Sequence, residues 1–342
     1  MALAALLFAC WILLQTPAVQ TFMARKVVQS LENVLNGRIE FSRIHIKPFT
    51  ALVLKDVAVL DDKPVTDWEG NGLDTIARAK SIVTTFSLKG LRNDGAIHIK
   101  RLSVKDGAFV LATDGRGSNI GRLVKKPEEQ KEKKPFSLKL DADRVQIKDF
   151  RFRLVNKTSE SPLRDYGIDW KNLDIAVQNL MAHDISFKDG SIVGSVENLR
   201  FGERSGYKVQ ELSGKVTIEK GRTLVENLHL QDRWSDISMN EYAMEYSGMA
   251  SFSNYMDEVL MTGEILDSRI DMKSISYFAP SLRRMKSIVN LREAEVKGPV
   301  KDLSIKNFNF SESYSGVSGT LDGRLSGLPD IDRMTMDFRL GA

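Results

Sequence analysis

From Arg38 onward the apolar side chains of this 342-residue chain recur at every second position. Ile39/Phe41, Ile44/Ile46, Leu52 to Leu60, Ile82/Thr84/Phe86/Leu88 and Ile97/Ile99 alternate with polar partners. Leu138/Leu140, Val145/Ile147 and Phe150/Phe152/Leu154 continue the pattern. A period of two places one set of side chains on each face of a strand. One apolar and one wet face is the habit of antiparallel meanders. Cys10 is the only cysteine, so no disulfide framework supports the sheet. The expected fold is therefore mainly β, an elongated antiparallel sheet with one or two short helices. One such helix is predicted over Tyr277 to Asn290, with Pro280 in its first turn and Leu282, Met285, Ile288 and Val289 on one face.

A loose repeat runs through the strands. Leu54-Lys55-Asp56-Val57, Val104-Lys105-Asp106-Gly107, Ile147-Lys148-Asp149-Phe150 and Phe187-Lys188-Asp189-Gly190 each separate two apolar runs, and Ile305-Lys306-Asn307-Phe308 echoes them. A wet-face lysine followed by an Asx residue is expected to form the connection between strands. Units of this length suggest an array in which each buries its face against its neighbours.

Between two such runs lies Asp114 to Leu123 (DGRGSNIGRL), then Lys125 to Pro135. The second stretch holds five lysines, three glutamates and two prolines, and its composition predicts a mobile linker. Gly115, Gly117 and Gly121 superficially suggest a phosphate loop. A dinucleotide site needs a longer helix and a second strand carrying an acid, so a Gly/Asn turn with Asn119 capping a short helix is the better reading.

The first 24 residues carry no charged side chain, and Ala2 to Leu14 are unbroken apolar. Thirteen such residues match a signal-peptide core, and counting on through Ala24 reaches the roughly 20 residues that cross a bilayer. No A-x-A site follows, and Val19, Met23, Val27, Leu31 and Val34 continue as one helical stripe ending at Asn36-Gly37. An anchor is therefore expected over 1–24. Arg25 and Lys26 lie on the wrong side for the usual charge bias, which suggests a missing basic tail. The closing strand pattern over 334–340 likewise suggests the front portion of a longer β array.

Catalytic chemistry finds little support. His45, His98, His183 and His229 are far apart in sequence, and neither a G-x-S-x-G elbow nor an H-E-x-x-H pair is present. The reading is no enzyme, no metal and no cofactor. A formal net charge of +4 is too even a balance to argue for nucleic acid.

The order of these pieces resembles one family. Thr16-Pro17-Ala18-Val19-Gln20 leads into the amphipathic helix, and Gly37 to Phe41 (GRIEF) opens the strands. Leu54 to Asp61 (LKDVAVLD) follows, then Gly117-Ser118-Asn119-Ile120-Gly121-Arg122-Leu123 ahead of the charged linker. This arrangement resembles the front of a TamB protein of the AsmA-like superfamily, most like the long Bacteroides-type versions. The resemblance implies a single-pass inner-membrane protein whose periplasmic sheet is curled into a groove. It also implies phospholipid movement toward the outer membrane and help in outer-membrane protein assembly. The outer-membrane β-barrel partner would be met through a C-terminal region absent here.

The corresponding division is an anchor over 1–24, a helix and β unit over 25–124, a linker over 125–135 and continued β-groove repeats over 136–342. Candidate groove-lining residues are Ile39, Phe41, Ile82, Phe86, Ile97, Ile99, Phe109, Leu111, Phe150 and Phe152. An ordinary closed core, and with it a β scaffold that docks other envelope proteins, is the alternative reading of the same residues.

Overall fold

A computed structural model describes residues 37–47, 51–67, 69–87, 97–123, 140–158, 166–188, 190–248, 251, 254–328, 330 and 333–341. The expected anchor, the amphipathic helix and the linker over 125–135 lie outside these residues. Among the described residues no helix is long and apolar enough to cross a membrane. The chain is mainly β: its described strands belong to one mixed sheet of 17 strands. They fall into two compact units, residues 1–163 with 169–179, and residues 164–168 with 180–342.

The first unit contains β1 (Gly37–Glu40), β2 (Arg43–Lys47), β3 (Ala51–Thr66), β4 (Gly72–Ser87), β5 (Ile97–Asp114), the two-residue β6 (Gly117–Ser118), helix α1 (Asn119–Leu123) and β7 (Leu140–Asn156). β1 and β2 pair with successive halves of β3, and β3, β4 and β5 form an antiparallel meander. The next neighbour corrects the expected antiparallel sheet. β5 and β7 are parallel, from Ile97↔Leu140 to Thr113↔Asn156. Parallel neighbours require a crossover of a dozen or more residues, and residues 115–139 supply it. The segment read as a linker therefore lies between two strands of one unit.

β8 (Asp174–Lys188) begins in the first unit and ends in the second. The second unit continues as β9 (Ser191–Glu203), β10 (Lys208–Glu219), β11 (Arg222–Asp232), β12 (Asp236–Glu245), helix α2 (Tyr255–Glu258), β13 (Leu260–Asp271), helix α3 (Met272–Phe278), a 3₁₀ turn (Pro280–Arg284), β14 (Ile288–Gly298), β15 (Asp302–Glu312), β16 (Ser318–Ser326) and β17 (Thr335–Gly341). From β9 to β17 every strand pairs antiparallel with the next.

The helix predicted over 277–290 is displaced. It begins at Met272, where the Asp271 carboxylate accepts from the Lys273 amide 2.9 Å away. It ends at Phe278, because Pro280 disfavours helical backbone at Ala279, which lies outside the helical region (φ −126°, ψ 85°). Ile288 and Val289, counted on the helix face, open β14 instead.

The Lys-Asx repeat is present but does a different job from the one expected. Asp56, Asp106, Asp149 and Asn307 all have φ between 49° and 54°, and all sit inside strands rather than between them. Asp184 and Asn227, which the sequence reading passed over, share that backbone. Asp and Asn tolerate the left-handed region better than other side-chain-bearing residues. Each follows one polar residue, and all but Asp106, which Gly107 follows, precede an apolar one, as in Ala182-His183-Asp184-Ile185 and Val225-Glu226-Asn227-Leu228.

The reason is a phase change. Val145 and Ile147 precede the kink in β7, and Phe150, Phe152 and Leu154 follow it. A one-residue slip ordinarily sends the whole apolar set to the other face. The left-handed residue takes up that slip and keeps the set together. In the first unit the kinks form a transverse row. Lys55 pairs with Ser81, Ser81 with Lys105 and Lys105 with Lys148, and one residue on, Asp56, Lys80, Asp106 and Asp149 occupy matching places. Ser42, between β1 and β2, reaches the same row, its hydroxyl 2.6 Å from the Asp56 carboxylate. Of the repeat's first four members, only Lys188-Asp189 marks a strand end, where β8 stops and Gly190 takes φ 80°.

Candidate functional site

Pairing gathers the candidate residues of the first unit into cross-strand rows. Ile39 lies opposite Val59, and Ile82 opposite both Leu54 and Val104. Ile99 lies opposite Phe86 and Ala142, and Ile97 opposite Leu140. Phe109 is opposite Ala77 on one side and stacks on Phe152 on the other, ring centroids 5.9 Å apart at 12°. Leu111 pairs with Leu154. Phe150 covers Gly107, where a Cβ would come within 2.5 Å of its ring, so only glycine fits beneath it. Phe41 follows β1 and is half-buried.

The degree of cover is the informative property. Eight of the ten candidates have described side chains: Ile39, Phe41, Ile82, Ile99, Phe109, Leu111, Phe150 and Phe152. All eight are half-buried and none is fully enclosed. The fully buried apolar cluster of this unit is Val65, Leu73, Ala112 and Val155, with Val110 against it. Ala112 and Val110 alternate with Leu111 and Phe109 along β5, so the enclosed cluster uses the opposite face near the strand ends.

α1 helps close that cluster. Asn119 is fully buried. It does not serve as the expected helix cap alone: its amide donates to the Val110 carbonyl (2.8 Å), and its oxygen accepts from the Ala112 amide (3.1 Å). The Ser118 hydroxyl caps instead, accepting from the Gly121 amide at 3.0 Å. Arg122 holds the element down, 3.4 Å from buried Asp61 and 3.3 Å from Asp114. The Arg116 guanidinium keeps the Asp114 carboxyl below its ordinary range, against the opposing effect of burial. The glycine-rich segment is thus a clamp built from side chain to backbone bonds at Asn119 and ion pairs at Arg122.

The second unit carries an apolar row that the sequence reading did not select. Val216, Val225, Tyr242, Gly263, Val296, Ile305, Gly323 and Phe338 succeed one another across β10 to β17. Six of the eight are half-buried, and Gly263 and Ile305 are buried. The polar-Asx kinks at Asp184, Asn227 and Asn307 were the available signal, since each marks a strand whose apolar phase changes. Beside Tyr242, within this row, α2 brings Tyr255, whose hydroxyl lies 3.2 Å from that of Tyr242 and 3.0 Å from the Met261 sulfur. Burial, then the neighbouring Tyr255, raises the Tyr242 phenol well above its ordinary value.

Both units therefore present partly covered apolar sheet surface, chemically suited to holding hydrocarbon. No family model, curated protein or solved structure matches this chain.

Proposed function

We propose that this chain holds phospholipid acyl chains on the apolar face of its sheet and carries them toward the outer membrane, as a TamB-like member of the AsmA-like superfamily. On this reading residues 1–24 anchor it in the inner membrane and the bulk of the chain lies in the periplasm. Assistance to outer-membrane protein assembly is the second part of the same role. The observation that carries the proposal is the half-buried state of Phe109, Phe150, Phe152 and their neighbours, beside a small closed cluster on the other face. Each acyl CH₂ moved from water onto such a surface gains about 0.8 kcal/mol, so a palmitoyl-length tail gains roughly 12 kcal/mol before ordering costs. The headgroup stays in water, and the step needs no energy-consuming site.

A second reading, an anchored scaffold with a closed core, is favoured by Ala142 and Val145, which are only 6% and 8% exposed beside the same pairing rows. The two separate on one experiment. A photo-crosslinking residue at Phe109 or Phe152 should capture phospholipid in cells, and Phe152→Asp should abolish capture at a neighbouring crosslinker while the protein still folds. Unfolding of Phe152→Asp, with no lipid crosslinked in the parent, would leave the scaffold.

A further inference from the structure

The two ends of the second unit's strands differ in charge. At one end lie the connections 204–207, 233–235, 272–287 and 313–317. They contain six basic residues, Arg204, Arg233, Lys273, Arg283, Arg284 and Lys286, and no acidic one. All six are exposed. At the other end, connections 189–190, 220–221, 246–259, 299–301 and 327–334 contain three basic and five acidic residues. Ion pairs balance that end further, including Lys301–Asp257 at 2.5 Å and Arg333–Asp330 at 3.4 Å.

Carboxylates do flank the basic end, but the fold turns them inward. β9, β11, β13 and β15 finish on Glu203, Asp232, Asp271 and Glu312. Each accepts a hydrogen bond from the backbone amide two residues on, at 2.7, 2.7, 2.9 and 3.0 Å. The first three are buried. Their charge is taken up by the turns they shape, and the cations face outward. Asp236, just inside β12, is held by His229 at 2.9 Å.

The connections are also knitted into one platform. The Ser235 hydroxyl donates to Ser274 (2.8 Å), which donates to Asp232 (2.9 Å). Ser287 donates to Glu312 at 3.1 Å. Tyr207 packs on Tyr277 and Phe278, with centroids 5.5 and 5.1 Å apart, and Trp234 stacks on Tyr277 at 5.8 Å. The Arg283 guanidinium lies 4.2 Å over Tyr166 and that of Arg233 5.6 Å over Trp234, so both are held rather than trailing. Exposed apolar side chains stand among the cations: Phe278 38%, Met285 50%, Tyr314 68% and Val317 56% exposed.

We propose that this end of the second unit docks on an anionic phospholipid surface. Cations attract the headgroup phosphates, and aromatic and aliphatic side chains among them enter the interfacial layer. A nucleic acid or an acidic protein would use the cations but leave Phe278, Met285, Tyr314 and Val317 in water. The proposal is independent of whether the sheet face carries acyl chains.

The test uses the full chain and vesicles of phosphatidylcholine, with and without phosphatidylglycerol. Phosphatidylglycerol should strengthen binding, and added salt should weaken it. Arg284→Ser/Lys286→Ser should lower the phosphatidylglycerol-dependent affinity roughly tenfold or more, at about fivefold per cation, with an unchanged melting temperature. Lys220→Ser/Arg333→Ser, at the opposite end, should leave it within about twofold. Equal losses in the two double variants, or no gain from phosphatidylglycerol in the parent, would overturn the proposal. So would a DNA duplex that binds the parent as tightly as the vesicles at the same salt and loses affinity equally in Arg284→Ser/Lys286→Ser. Failure of lipid capture at Phe152 would count against the acyl-chain reading and leave these outcomes unchanged.

Discussion

Neighbouring residues of one strand meet opposite fates in the first unit. Along β5, Val110 and Ala112 join Val65, Leu73 and Val155 in a closed cluster, with Ala112 wholly buried. Phe109 and Leu111 point to the other side and remain half-exposed, although their cross-strand partners Phe152 and Leu154 are just as apolar. Hydrophobicity does not separate the two sets. What separates them is the cover: α1 and the clamp of Asn119, Arg122, Asp61 and Asp114 lie at the strand ends near the closed cluster. An apolar row on a sheet is thus a core or an open surface according to what is laid over it.

The sharpest way to break this comparison is to place a carboxylate on each side. Val65→Asp puts a charge at a site 1% exposed and should cost about 3–5 kcal/mol. Phe152→Asp loses a stacked ring but can reach water, and should cost roughly half as much or less. Urea melts of the two variants measure the difference. Equal losses would mean that the Phe109 side is as closed as the Val65 side.

A smaller effect is expected at the kinks. Asp106→Val forces a β-branched residue into φ 50° and should cost about 1–3 kcal/mol, whereas Asp106→Gly should be nearly neutral. Thermal melts of the pair check this. If valine is tolerated as well as glycine, the phase change does not depend on the left-handed residue. The same substitutions at Asn227 test the second unit, where the pairing between β10 and β11 already shifts from Ser213 to Lys215.

The smallest effect concerns acid. Glu312 is held down to about 2, chiefly by the Ser315 amide and hydroxyl, from an ordinary value of 4.5. A depressed carboxylate adds stability that is complete above its unfolded pKa and is lost as pH falls through the folded one. The protein should therefore lose this contribution between pH 4.5 and about 2. Glu312→Gln should flatten the stability profile across that window, as read by melting temperature against pH. An unchanged slope would mean that the turn is held without the charge.

Much of the fold is legible in the residues. The alternation over Leu52 to Leu60 becomes β3, and Phe150/Phe152/Leu154 falls in β7. The repeat is legible too, but its role is not. Lys-Asp composition suits a turn and a left-handed kink equally, and only backbone pairing on both sides shows that the strand continues. Ile288 and Val289 fit a helical stripe by spacing, yet the Asp271 cap starts the helix at Met272 and Pro280 ends it at Phe278, which leaves them to β14. Of the candidate surface, the residues up to Phe152 were selected, while the row from Val216 to Phe338 was not. Its glycines, Gly263 and Gly323, interrupt the apolar count even though Gly323 lets Phe338 lie across the backbone.

The sequence by itself determined which residues alternate within each apolar run, because alternation follows from backbone geometry over a few residues. The turns at Glu203, Asp232, Asp271 and Glu312 are local as well, since each carboxylate reaches an amide only two residues away, but the strand ends themselves were not read from the residues. Tertiary structure alone decided that β5 takes β7 as a parallel neighbour, and that Ala112 is enclosed while Leu111 is half open. Those outcomes depend on which distant segments come together. Alternation makes every apolar row able to be buried but carries no information about what will cover it.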